Sequence, residues 1–171
     1  MSTGRARRAS ATADLARILR HWRDVAPEDR MAHLVKDAMR AFDRSLQWRL
    51  AAHGVSLGHW AFLRVLWETD GLTQRELSRE AGVMEPTTFA AIKAMAHRGY
   101  IVRRRLAGNR RKVHVFLTPK GRALERKLVP LAVDVNAIAA RGIAARELAA
   151  MRQTLVELLA NLAADEAGRE G

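Results

Sequence analysis

No cysteine occurs in the chain, which excludes a disulfide framework, a thiolate metal site and a cysteine-based peroxide sensor. That absence fits a reducing compartment, and a cytoplasmic protein is the expectation. No run approaches the roughly 20 consecutive apolar residues that span a bilayer. Arg5, Arg7 and Arg8 are not followed by an apolar stretch, so the start reads as a basic arm and not as a secretory signal. A glycine-rich phosphate loop, a Gly-x-Ser-x-Gly turn and paired carboxylates in an apolar setting are all missing, so no enzyme is expected. The histidines at 21, 33, 53, 59, 97 and 114 include no i, i+4 pair, and neither a metal site nor a cofactor is expected.

Acidic residues are also missing from one long stretch. Between Pro86 and Leu124 there is no Asp or Glu, while Lys93, Arg98, Arg103, Arg104, Arg105, Arg110, Arg111, Lys112, Lys120 and Arg122 all fall there. The formal net charge of +12 suits nucleic acid, an anionic membrane surface or an acidic protein. Such a run of unopposed cations repels itself unless a polyanion occupies it, which favours nucleic acid. RNA is disfavoured, because Phe89, Tyr100 and Phe116 are the only aromatics of the basic segment.

What is present is an ordered series of short elements. With 171 residues, 49% of them apolar, the chain can fill one core. Residues 1–28 read as a flexible basic arm and a short helix, interrupted at Pro27. Met31, Leu34, Val35, Ala38, Phe42, Leu46 and Leu50 keep the helical period up to Gly54. A second helix carries Trp60, Leu63, Val65, Leu66 and Trp67 and stops at Asp70-Gly71. Thr73 and Glu76 then have capping-box spacing, with Leu72 and Leu77 placed for a hydrophobic staple. That short helix ends at Ala81-Gly82, and another opens at Pro86 and closes at Gly99.

Two helices across so short a turn make a helix-turn-helix. Tyr100–Arg105 and Val113–Leu117 read as two strands with a basic tip between them, a wing. Thr118 and Pro119 open a long helix containing Pro130. A last helix from about Ala144 to Ala163 lines up Leu148, Met151, Leu155, Leu158, Leu159 and Leu162. The expected architecture is mainly α with a small β-wing. A winged helix-turn-helix at 57–118 is flanked by N- and C-terminal dimerisation helices at 29–56 and 119–165, with packing inside one subunit as the alternative for that stripe.

This order of elements resembles the multiple-antibiotic-resistance regulator (MarR-type) family. The resemblance covers roughly residues 31–163 and rests most on GLTQRELSREAGVMEPTTFAAIKAMAHRGYIVRR and NRRKVHVFLTPKGRAL, where a basic wing tip, an apolar strand and Leu-Thr-x-x-Gly follow in order. It implies a homodimeric DNA-binding regulator, mostly of the repressor kind, released when a small and often aromatic acid or thioester binds. The family wing usually carries Asp-x-Arg, whose carboxylate braces a minor-groove arginine. Here the motif reads Asn109-Arg110-Arg111, so the brace is uncharged; Arg111 is assigned to the minor groove and Arg110 to phosphate.

The helix from Pro86 fits the major groove in diameter, and its first amides are open to a phosphate. With Thr88, Ala91, Ile92 and Met95 facing the core, Pro86, Thr87, Phe89, Ala90, Lys93 and Ala94 fall on or near the outer face. Thr87 can bond phosphate or a base edge, and Phe89 and Ala90 can meet thymine methyls; the alternative for Phe89 is a buried filler. The full DNA-binding set is Thr73, Pro86, Thr87, Phe89, Ala90, Lys93, Arg103, Arg105, Arg110, Arg111 and Lys112. Trp48, His53, Trp60, Arg64 and Trp67, with Phe62, offer aromatic faces and cations to a ligand, against the alternative that most of the tryptophans are core. A sequence-tolerant architectural DNA binder is the competing function, favoured by the charge and by the lack of Arg, Asn or Gln on the reading helix.

Overall fold

The computed structural model describes residues 17, 18, 22, 31–106 and 109–169, and for residues 109–111 the backbone alone. The elements are α1 (Met31–Ala51), α2 (Leu57–Glu68), α3 (Gln74–Ala81), α4 (Glu85–His97), β1 (Ile101–Leu106), β2 (Asn109–Leu117), α5 (Pro119–Ala139) and α6 (Ala145–Arg169). The protein is mainly helical with one two-stranded antiparallel hairpin. The basic arm expected at 1–28 lies outside the described residues except at 17, 18 and 22. Among the described residues no helix is long and apolar enough to cross a membrane.

Two compact units divide between Arg44 and Ser45, inside α1. In the first, the Trp22 indole donates to Asp37 (3.2 Å), and Leu34, Val35, Met39 and Phe42 are exposed.

The second unit holds the core: Leu50, Val55, Phe62, Leu63, Leu66, Leu77, Ile92, Met95, Ile101, Val115 and Leu128 are all buried. Trp60 joins it, with its ring edge-on to Trp67 at 5.6 Å. Local chemistry sets the helix starts. The Ser56 hydroxyl accepts from the His59 amide (3.2 Å), while the Gln47 carboxamide accepts from the Leu57 amide (2.7 Å), so α1 helps to cap α2. Thr118 caps α5 by accepting from the Gly121 amide (3.0 Å). Glu147 reaches back to the Ala144 amide (2.9 Å) to open α6.

The second strand is longer than the sequence suggests, and the first is shifted by one residue. β1 ends at Leu106 and β2 starts at Asn109, with a register shift after Arg105. Ladder hydrogen bonds need no β-branched side chain, so the polar Asn109 pairs as well, with Leu106. A further contact has no counterpart in the sequence reading. The Gly71 amide donates to the Val115 carbonyl (3.0 Å), the Val115 amide to the Leu72 carbonyl (2.8 Å), and Thr73 bridges His114. The chain entering α3 is thereby fastened to the base of the hairpin.

α6 runs to Arg169, past the expected end, and buries no residue. Met151, Leu155, Leu159 and Leu162 stand exposed along it.

Candidate nucleic-acid interface

The helix-turn-helix is built from the cap outward. The Thr73 amide and hydroxyl both donate to the Glu76 carboxylate (2.8 and 2.7 Å), and the Glu76 amide returns to the Thr73 hydroxyl (3.3 Å), completing the capping box. These bonds hold the Glu76 carboxyl below its ordinary range, with help from the nearby charges of Lys112 and His114. Thr73 is therefore buried with its hydroxyl occupied, and it fixes α3 instead of offering a free donor.

At Gly82 the backbone takes φ +63°, the left-handed conformation that closes α3 and swings the chain toward α4. The two helices are then locked by a buried pair: Ser78 donates to the Thr88 hydroxyl (2.7 Å), and Thr88 donates to the Met84 carbonyl (3.2 Å). With Thr88, Ile92 and Met95 facing inward, the other side of α4 is decided. Pro86, Phe89, Ala90 and Lys93 share one outer face at i, i+3, i+4 and i+7, and all four are exposed, as is Thr87. Phe89 is 51% exposed, so the filler alternative does not describe it. Met84, at the N-cap, is 78% exposed and supplies no side-chain cap, so no protein oxygen occupies the first amides of α4 from that position.

The hairpin sorts its arginines by register. Ile101 pairs with Leu117, Arg103 with Val115 and Arg105 with Val113. Paired residues share a face, so Arg103 and Arg105 continue the face that Ile101, Val115 and Leu117 bury, and both emerge exposed. Arg104, paired with His114, lies on the opposite face, with its guanidinium 6.0 Å from the Phe116 ring. Gly71 lies against the same ring: a Cβ there would sit 2.6 Å from Phe116, and His114 Nδ1 bonds the Gly71 carbonyl at 2.8 Å. The Arg110 and Arg111 side chains lie outside the described residues. Lys112 is exposed, and it lines an open groove of about 810 Å³ with Gln74, Arg75, Glu76, Met84 and Glu85.

The basic run is less uniform than a charge count suggests. Arg122 pairs with Asp70, and Arg98 donates to the Gly54 carbonyl (2.8 Å). Lys120 donates to the Arg98 carbonyl (2.8 Å), with its ammonium 5.1 Å from the Tyr100 ring. These residues tie α2, α4, β1 and α5 together, so the cations described as unopposed include some with internal partners. Lys93, Arg103 and Arg105 pair with no carboxylate among the described residues, and Lys112 makes no close ion pair, its charge acting on Glu76 from a distance. Sequence reasoning passed over Asp70, whose only signal was a turn dipeptide, and Met84, which had the look of a linker residue.

The residues nominated for a ligand separate. Trp67 and Trp60 are core partners, the former donating to the Gly121 carbonyl (3.0 Å), and Phe62 is buried. Trp48 is 62% exposed beneath the Arg49 guanidinium, and His53 and Arg64 are exposed. His59 is half-buried; burial, and then the Arg98 charge, lower its pKa, and its Nδ1 is buried without a partner.

A family model described as MarR family matches residues 55–113. The HTH-type transcriptional regulator TtmR of Methylorubrum extorquens is 31% identical over 101 residues, which is 59% of this chain and 52% of that protein. The chain thus spans about half the length of that curated relative. Among solved structures, the transcriptional regulator PA3341 superposes with a TM-score of 0.68 at 32% identity, covering 77% of this chain and 96% of that one. A MarR family regulator from Listeria monocytogenes, solved with a 26mer DNA, superposes with a TM-score of 0.71 over 79% of this chain and 90% of that one. At 22% identity this last likeness concerns the fold alone.

Proposed function

The chain belongs to the MarR family, and we propose that it is a homodimeric, sequence-specific DNA-binding transcription regulator. One observation carries this reading above the others. The exposed outer face of α4 belongs to the same compact unit as a hairpin whose Arg103 and Arg105 share one face, and no carboxylate occurs between Pro86 and Leu124. In this proposal α4 enters the major groove, with Thr87 at a phosphate or base edge. Arg103, Arg105, Arg110 and Lys112 meet phosphates, and Arg111 enters the minor groove.

Self-association is supported by what the single chain leaves uncovered. A helix like α6, with no buried residue and an apolar stripe, is marginal in water unless another surface covers it. A second copy related by a two-fold axis would cover the stripe and present two reading helices to a pseudo-palindrome, with half-sites about one helical turn apart. Residues 29–56 and 119–165 would then serve dimerisation, and residues 57–118 would bind DNA. Repression relieved by a small aromatic acid or thioester completes the reading, with the exposed Trp48, His53 and Arg64 as the places to look for that ligand.

The test is selection of genomic fragments by the purified protein at about 150 mM salt, where purely electrostatic binding is suppressed. A narrow set sharing one pseudo-palindrome is the expected result. Broad recovery without a motif would overturn the proposal in favour of a sequence-tolerant architectural protein.

A further inference from the structure

The outer face of α4 is unusual for a surface meant to meet base edges. Along its exposed stripe, Pro86, Phe89 and Ala90 carry no side-chain donor or acceptor; the polar groups beside them are the Thr87 hydroxyl and the Lys93 ammonium. No Arg, Asn or Gln lies anywhere on the helix. Glu85, the one carboxylate of the helix and suited to accept from a cytosine amino group, is drawn toward Arg75 at 3.8 Å. His97 lies in the last turn, away from the N-terminal residues with which a recognition helix reads bases. Exposed apolar side chains continue onto the cap: Met84, at 78%, is the most exposed large hydrophobic residue among the described residues, and Phe89 is 51% exposed. Among the described residues the Phe89 ring stacks on no other ring and lies under no cation.

A large apolar side chain left in water on a cationic surface needs an apolar partner that comes with negative charge. In the major groove only one group fits that description, the C5-methyl of thymine, flanked by backbone phosphates. Lys93 on the stripe and Lys112, which lines one groove with Met84 and Glu85, provide matching charge, and Arg103 and Arg105 stand exposed on the hairpin of the same unit. Ala90, small and beside Phe89, lets the helix approach closely enough for the ring to touch a methyl.

We propose that Phe89, with Ala90 and Met84 beside it, is the specificity-determining contact of this protein and reads C5-methyl groups of pyrimidines in the major groove. The proposal rests on the regulator reading above and adds the chemistry by which the operator is chosen. Because the contact senses the methyl and not the group at C4, 5-methylcytosine substitutes for thymine at the contacted step. Unmethylated cytosine does not.

The test uses the full-length protein and the operator obtained by genomic selection. Single thymines are replaced by deoxyuridine, which keeps base pairing and the O4 acceptor and removes only the methyl. Affinity at the contacted position is expected to fall about fourfold per half-site, the ratio set by burial of one methyl-sized group, and more than tenfold when both half-sites are changed. A 5-methylcytosine·guanine pair at that position is expected to bind more tightly than the unmethylated pair by a similar ratio. In Phe89→Ala both differences are expected to vanish. Wild-type protein that binds its operator equally well with deoxyuridine at every thymine would overturn the methyl proposal and leave the regulator reading intact. Failure to select any operator would remove both.

Discussion

Asp70, just past the end of α2, and Arg122, in the first turn of α5, form an ion pair across 52 residues of sequence. The other Asp70 oxygen accepts from the amides of Gly71 (3.1 Å) and Leu117 (2.8 Å). One carboxylate thus holds the end of α2, the end of β2 and the start of α5. Asp70→Ala leaves the amide of the buried Leu117 without this acceptor and is expected to cost about 1–3 kcal/mol in urea denaturation. Asp70→Asn keeps an acceptor oxygen and loses mainly a partly exposed ion pair, so about 0–1 kcal/mol is expected. Equal losses for the two variants would show that the charge, and not the amide contacts, carries the effect.

Gly121 has no room for a side chain. A Cβ there would lie 2.1 Å from the Tyr100 carbonyl oxygen, a backbone atom that cannot rotate away. Gly121→Ala is expected to cost more than the roughly 1–3 kcal/mol of ordinary overpacking and to lower the thermal midpoint accordingly. Gly82→Ala meets open space and pays only for its φ of +63°, so about 1 kcal/mol is expected.

The two faces of the hairpin should separate in salt dependence. Arg105→Ala and Arg103→Ala each remove a cation proposed to neutralise a phosphate, so the slope of log K against log salt should become shallower by about 0.9 for each phosphate left unpaired. Arg104→Ala removes a cation stacked near Phe116 and is expected to leave that slope unchanged while costing about 0.5–1 kcal/mol of stability. A common change in slope for all three would mean that the face does not sort them.

Below neutral pH, His59 is expected to lower stability. Burial and the Arg98 charge depress its folded pKa below 6.5, so the unfolded imidazole takes up its proton first. Its contribution is complete above about pH 6.5 and is lost as pH falls through the folded value. Urea midpoints of wild type should therefore fall between pH 7.5 and the folded pKa, and His59→Gln should flatten that segment. Glu76 follows the same sign at lower pH: its depressed carboxyl stabilises above its ordinary pKa of 4.5, and that support disappears as it protonates. No flattening in His59→Gln would show that other groups govern the slope.

Charge on the exposed stripe of α6 should dissociate the proposed dimer. Leu155→Glu combined with Leu159→Glu removes apolar surface without touching the core of the single chain, because α6 buries nothing within it. Sedimentation should show a dimer for wild type and a monomer for the variant, with helix content largely kept outside α6. A wild type that sediments as a monomer at tens of micromolar would remove the dimer from the proposal.

Where a structural cause is local in the chain, the sequence was enough. The capping box of Thr73 and Glu76, the left-handed glycines at 82 and 99 and the apolar periods of α1, α2 and α6 act over three or four residues, so spacing alone exposes them. The inward set Thr88, Ile92 and Met95 was legible for the same reason, and with it the outer face of α4. Leu-Thr-x-x-Gly could be read as a pattern, but its reason is spatial. Leu117 is buried, Thr118 caps α5 and bonds the Gly99 and Tyr100 carbonyls, and Gly121 sits against Tyr100 because those elements converge.

Only the tertiary structure decided which cations have partners within the fold. Arg98, Arg104, Lys120 and Arg122 looked like Arg103 and Arg105 in the sequence, because a charge carries no local sign of its partner. Their partners Gly54, Phe116, Tyr100 and Asp70 lie elsewhere in the chain and are brought close by folding. The separation of Trp48 from Trp60 and Trp67 has the same origin: aromatic residues close in sequence point in different directions once each helix has committed its apolar face. Sequence sets which elements form and which side of each turns inward; the close approach of distant elements determines what the remaining polar and charged groups are left to bind.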